Sequence, residues 1–241
     1  MPEEKIETVF LDENIRVIHK PVNISFHTDD SAQGIVMLVK AEYPDEMLFP
    51  IHRLDKMTSG LMVFARSSKV NEVLSKMLED KQIEKYYLAL SKYKPSKKQG
   101  AVIGDMKKGR RGSYLLLREK NNPACTHFFT KLLFINDQRY WFFVLKPETG
   151  KTHQLRVTMK SLASPVLGDT RYEQGAEGTQ EDRGYLHAYK IRFDLFGKRY
   201  DICDPNFSGR CFKLKDYLDH NDIKLFLKPE ILQWPKRAFR L

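Results

Sequence analysis

At 241 residues, 41% hydrophobic and 12% aromatic, the chain carries enough apolar surface for a core without disulfides or a structural metal. Its longest apolar run covers only residues 140–145 and its first ten residues, MPEEKIETVF, are acidic, so neither a membrane span nor a signal peptide is expected. Three widely spaced cysteines, Cys125, Cys203 and Cys211, form no C-x-x-C pair and read as reduced thiols of a cytoplasmic protein.

Residues 6–20, IETVFLDENIRVIHK, read as two short strands around a turn at 12–14, with Pro21 ending the second. LMVFA after Gly60 reads as a buried strand. Ser67 and Ser68 offer N-caps to a helix on which Val70, Val73, Leu74, Met77 and Leu78 share one face. IEKYYLALS returns as a strand, and THFFTKLLFI with RYWFFVLKP reads as a hairpin around Asn136-Asp137-Gln138. Thr152 is placed to cap a helix whose apolar face carries Leu155, Met159 and Leu162, with Arg156 beside it. LHAYKIRFDLFGKRYDICDP reads as a second hairpin, and 213–241 as a short helical tail. Mostly antiparallel strand signals with a few helices predict an α+β fold, with one main domain over 1–212 and a C-terminal extension over 213–241 packed on it or appended to it.

The net charge of +10 is unevenly placed. Residues 92–120 hold ten Lys or Arg against Asp105 and Glu119, a local excess of +8. Such a block exchanges condensed counterions for protein charge, and a nucleic acid is its natural partner. A basic membrane-surface helix fits less well, since Pro95 and Gly100, Gly104, Gly109 and Gly112 interrupt any helical face. Lys107, Lys108, Arg110 and Arg111 are the candidate nucleic-acid contacts of this block, which does not say DNA or RNA, with Lys236, Arg237 and Arg240 of the tail a weaker second set.

Two phosphate-handling motifs fail. Gly150-Lys151-Thr152 resembles the end of a P-loop, but its first glycine would fall on Leu145. HRLD has the wrong order for a kinase catalytic loop, and no G-x-G-x-x-G or D-F-G accompanies it. No spacing of His, Cys or carboxylates argues for a metal, and no cofactor motif appears, so neither is expected. Taken by itself, Asp55 in HRLDKMTSGL is either a turn residue or a reactive carboxylate.

That block resembles the H-R-L-D-x-x-T-S-G-L motif of the RluA-type pseudouridine synthases. The similarity continues in order through DENIRVIHKP, EKYYLAL, NPACTHF, LKPETGKTHQLRVTM, PVLGDTRY and LHAYKIRF, covering roughly residues 7–205. The resemblance implies a catalytic fold with a central, mostly antiparallel mixed sheet flanked by helices and loops. It also implies a cofactor-free isomerisation of uridine in ribosomal or transfer RNA, in which the flipped-out base is detached from C1′, turned, and rejoined through C5. Asp55 is implied as the nucleophile, and the resemblance does not choose between attack at C1′, attack at C6 and assistance at C2′. Tyr87 is implied to stack on the uracil and help move a proton, and Arg156 to pair with the catalytic carboxylate and keep it ionised. Arg53 is implied to fill the vacated stack or hold a phosphate, whereas His52, Thr58, Ser59 and Gly60 support the loop. Lys151 stands where many relatives have arginine. Because the similarity opens near residue 7, no N-terminal S4-type domain is expected, and RNA contacts then fall to the catalytic domain of a monomer.

Overall fold

The computed structural model describes residues 6–28, 32–173, 181–221 and 223–235. Its strands in chain order are β1 (Thr8–Leu11), β2 (Ile15–Lys20), β3 (Phe49–Pro50), β4 (Ser59–Ala65), β5 (Glu84–Ser91), β6 (Gln99–Gly104), β7 (Met106–Lys108), β8 (Tyr114–Leu116), β9 (Ala124–Ile135), β10 (Gln138–Pro147), β11 (Leu186–Leu195) and β12 (Lys198–Cys203). Three α-helices accompany them, α1 (Ile35–Glu42), α2 (Ser68–Glu79) and α3 (Gln154–Ser161), giving an α+β fold. The chain forms two compact units, one from Met1–Lys85 with His187–Asn206, the other from Tyr86–Leu186 with Phe207–Leu241.

In the first unit β2 pairs antiparallel with β1 and β4, β11 runs parallel to β4, and β12 returns antiparallel on β11. Strand β4 is buried along its whole length, which accounts for its unbroken apolar sequence. Leu61, Val63 and Ala65 join Val70, Leu74 and Met77 of α2 in one core, while Met62 and Phe64 join Ile35 and Val39 of α1 in another. Ser67 caps α2 by accepting from the Val70 amide at 3.2 Å. Each buried Leu or Val side chain in these layers contributes about 1.5–3 kcal/mol. The layers hold both faces of β4, and with them the loop that feeds it.

In the second unit β10 pairs antiparallel with β5 and β9, and β9 pairs with β6. The β9–β10 turn is made by Asn136 (φ 49) and Asp137 (φ 62), two residue types that tolerate the left-handed region. Within the basic block β7 and β8 pair as a short antiparallel hairpin, two strands that its sequence does not signal. The expected helical tail is corrected. The region after Lys213 holds only 3₁₀ turns, Leu214–Tyr217 and Pro229–Ile231, among its described residues. Those turns belong to the second unit, where Trp234 stands edge-on to Phe129 at 4.9 Å and Tyr217 stacks on Phe212 at 5.1 Å.

Candidate active site

The turn before β4 is closed by main chain, the Asp55 carbonyl accepting from the Thr58 amide at 3.0 Å. Leu54 is buried and anchors the turn, while Arg53 and Lys56 on either side of Asp55 are exposed and Asp55 itself is half-buried. Beneath the turn, the fully buried Lys20 ammonium donates to the carbonyls of Pro21 at 2.7 Å, Ile24 at 2.9 Å and Lys56 at 3.4 Å. His52 Nε2 accepts from the Val63 amide at 3.2 Å, pinning the loop to β4. Burial, then the nearby Lys85 charge, lowers the His52 pKa to about 3, so the ring is a neutral acceptor at physiological pH.

Ser59 and Gly60 lock the far end of the loop to β11. The Ser59 hydroxyl pairs with His187 Nδ1 at 2.8 Å, and His187 Nε2–H donates to the Asp204 carbonyl at 2.9 Å. Asp204 Oδ2 in turn pairs with His19 Nδ1 at 2.5 Å. Burial raises the Asp204 pKa, but the His19 bond and the neighbouring His187 outweigh it and hold the carboxyl below its usual range. Gly60 has φ 109, and a Cβ there would lie 2.3 Å from the Ala188 carbonyl oxygen, so only glycine fits.

In the second unit Tyr87 lies opposite Leu145 in the β5–β10 ladder and is 8% exposed. Tyr86 faces Trp234 with ring centroids 6.0 Å apart. Helix α3 is buried from Gln154 through Met159, Arg156 included. Its N-cap is His153 (φ 58, ψ 16) rather than Thr152, because Gln154 Oε1 accepts from Thr149 Oγ1 at 2.7 Å and from the Lys151 amide at 3.0 Å and draws the preceding loop inward. Arg156 donates through Nε and Nη2 to the two oxygens of Asp169, both at 2.8 Å, a fork geometry that only arginine supplies. Its guanidinium carbon lies 5.0 Å from the Tyr172 ring centroid.

Lys107, Lys108, Arg110 and Arg111 are exposed at and beside the tip of the β7–β8 hairpin. The tip is closed by main chain, Gly109 N–H donating to the Ser113 carbonyl at 2.8 Å and Ser113 N–H to the Arg110 carbonyl at 3.0 Å. Lys236, Arg237 and Arg240 lie outside the described residues.

The three candidate catalytic residues are divided between the units, Asp55 in the first and Tyr87 with Arg156 in the second. Residues not singled out from the sequence include Lys20, His187 and Asp204 under the loop, and His153, Asp169 and Tyr172 around Arg156. Asp169 and Tyr172 fall in PVLGDTRY, a segment that marks the family resemblance without disclosing what its side chains hold. Among the described residues no three His, Cys, Asp or Glu side chains are grouped to hold a metal, and no helix is long and apolar enough to cross a membrane.

Comparison with known proteins gives these arrangements their context. The family model described as RNA pseudouridylate synthase matches residues 14–161. An uncharacterized RNA pseudouridine synthase of Haemophilus influenzae is 45% identical over 203 residues, spanning 84% of this chain and 88% of the relative. Ribosomal large subunit pseudouridine synthase D of Borreliella burgdorferi is 30% identical, over 84% of this chain and 68% of that one. tRNA pseudouridine synthase C of Pasteurella multocida is 32% identical, over 78% and 85%. Human RNA pseudouridylate synthase domain containing 1 shares the fold, with a TM-score of 0.72 at 21% identity over 85% of each chain. By the extent of the family match and the 45% identity to the Haemophilus protein, the chain belongs to the RluA-type family of RNA pseudouridine synthases, which are isomerases.

Proposed function

We propose that this protein converts specific uridines of ribosomal or transfer RNA to pseudouridine in the cytoplasm, as a monomer and without a cofactor, with Asp55 as nucleophile. The C1′–N1 glycosidic bond breaks, a C1′–C5 bond forms, the C5 proton leaves and N1 takes one up, so the product is an isomer and no oxidant is consumed. The observation that carries the reading is the HRLD turn, whose i to i+3 bond is made by the Asp55 main chain while its flanks, Arg53 and Lys56, stay exposed. A carboxylate there divides a hard rearrangement into two easier covalent steps.

Arg156 acts on the ionised form of that carboxylate. Asp169 holds one edge of its guanidinium, which fixes the plane in which the other edge presents donors. Tyr87 stacks on the extruded uracil and relays a proton. Arg53 takes the place of the flipped nucleotide or a phosphate, and the β7–β8 hairpin holds the RNA backbone. His52 supports the loop as a neutral acceptor and is no general base, since its pKa of about 3 leaves it too weak.

The test is to map pseudouridine in RNA from cells with and without the gene, and to repeat the conversion with purified protein. Loss of defined sites in the deletion, restored by wild-type protein but not by Asp55→Asn, is the expected result. If no site disappears and the protein makes none in total unmodified RNA, it is a noncatalytic RNA binder. Chelation should leave conversion of a short unstructured RNA unchanged, and activity restored by one metal would contradict the cofactor-free reading.

A further inference from the structure

The second unit contains a connection between the basic hairpin and Arg156 that runs through one side chain. Tyr172 is 2% exposed. Its phenol oxygen accepts from the Tyr114 amide of β8 at 2.8 Å, so its own proton is directed to His153 Nδ1 at 2.9 Å. Burial pushes the Tyr172 pKa up, and the phenol keeps that proton at neutral pH. His153 is the left-handed N-cap of α3, three residues before Arg156. The Tyr172 ring faces the Arg156 guanidinium, and the Tyr172 and Arg171 amides donate to the Asp169 oxygen that also receives Arg156 Nη2. Arg171 reaches back to the hairpin tip and donates to the Arg111 carbonyl. The hairpin is thus tethered at its tip and at β8 to a two-residue segment, and that segment also orients Arg156.

We infer that Tyr172 is a positioning residue that couples RNA engagement by the β7–β8 hairpin to the orientation of Arg156. The inference rests on the reading of Arg156 and the hairpin given above. Phosphate contacts at Lys107, Lys108, Arg110 and Arg111 draw on the hairpin, and the Tyr114–Tyr172–His153 bonds carry that constraint to the start of α3. A guanidinium held in one plane stabilises developing charge without reorganising during the reaction. An independent RNA-binding arm would need no such bond.

Tyr172→Phe keeps the ring over Arg156 and removes only the two hydroxyl bonds. The measurement is the single-turnover rate with enzyme in excess and at saturating concentration, using total RNA from cells lacking the gene, alongside the RNA dissociation constant and a melting curve. The expected result is a rate about 10-fold lower or more, with affinity within about threefold of wild type. In a double-mutant cycle, replacing the four hairpin cations by alanine should slow the saturating rate in wild type and add no further loss in Tyr172→Phe. A wild-type rate in Tyr172→Phe, an effect confined to affinity, or additive losses in the cycle would each overturn the coupling. Should Tyr172→Phe lose its melting transition, Arg171→Ala, which cuts the tether at the exposed surface, carries the same test with the same outcomes. Asp55→Asn separates the levels: activity surviving in it breaks the functional reading, and with it the inference. Its silence beside a fully active Tyr172→Phe breaks the coupling alone.

Discussion

Asp12 and Asp55 sit in tight turns that each lead into a strand of the first unit, and the two turns are closed differently. At Asp12 the side chain takes part in the closing, beside a main-chain bond from the Asp12 amide to the Ile15 carbonyl at 3.0 Å. Its carboxylate accepts from the Asn14 and Ile15 amides, both at 2.9 Å, and also from Lys198 and Tyr200 at 2.7 Å. At Asp55 the main chain supplies the i to i+3 bond. The basic tip at 109–113 follows the second pattern, with backbone bonds inside and cations outside. A turn closed by backbone does not depend on its side chains for shape, so a side chain there can be changed without opening the turn. One closed by a carboxylate has spent that group on folding.

The sharpest way to break this contrast is to make the same change in both turns. Asp55→Asn should lower single-turnover pseudouridine formation by about three orders of magnitude or more while leaving the melting temperature and RNA affinity near wild type. Substantial turnover in that variant would return Asp55 to the structural class. Changing Lys107, Lys108, Arg110 and Arg111 together to alanine should weaken RNA binding and flatten its log–log salt dependence by about 3, if each contact contributes roughly 0.7–0.9. An unchanged slope in a salt titration removes the hairpin from the RNA surface.

His52 extends the comparison to pH. Its pKa is about 3 in the folded protein against an ordinary value of 6.5, so its contribution to stability is complete above 6.5 and is lost progressively as pH falls through that window. Unfolding free energies from urea titrations should fall between pH 7 and 5 by about 2 kcal/mol more in wild type than in His52→Asn. Parallel curves would show a ring that protonates freely. Smallest of all, Asp12→Asn should cost about 1 kcal/mol in urea unfolding and leave turnover untouched. A loss of activity there with stability intact would erase the distinction between the turns.

Much of the fold was legible because the signals are local. The β9–β10 turn announces itself in Asn136-Asp137, helix α2 in its Ser67 cap and its apolar spacing, and β4 in an apolar run that both of its faces bury. Helix α1 gave no such signal, being only eight residues long with Gly34 at its N-cap and no side-chain cap. The β7–β8 strands have three residues each inside a glycine-rich basic text, and their order comes from Tyr172 and Arg171 far along the chain. The same holds for the candidate site. HRLD, Tyr87 and Arg156 are found by matching a motif, whereas the Asp169 fork and the Ser59–His187–Asp204 chain are pairings between separate segments that no spacing discloses, and the left-handed His153 cap follows from the bonds of the Gln154 side chain.

The contact between Gly60 and Ala188 has a consequence for the order in which the molecule is made. Strand β4 gains its parallel neighbour only when His187 and Ala188 reach Ser59 and Gly60, about a hundred residues after the first segment of that unit has ended at Lys85. On a ribosome adding about 5–20 residues per second, the nascent chain therefore spends roughly 5–20 seconds with the Ser59–Gly60 end of one β4 edge unfilled, while β3 already covers that edge at Phe64 and Ala65. An open strand edge is a template for pairing with another chain. The loop carrying Asp55 is anchored to that strand by Ser59 and Gly60, so the nascent polypeptide acquires the fixed form of that loop late in translation, when the open end of the same strand is covered.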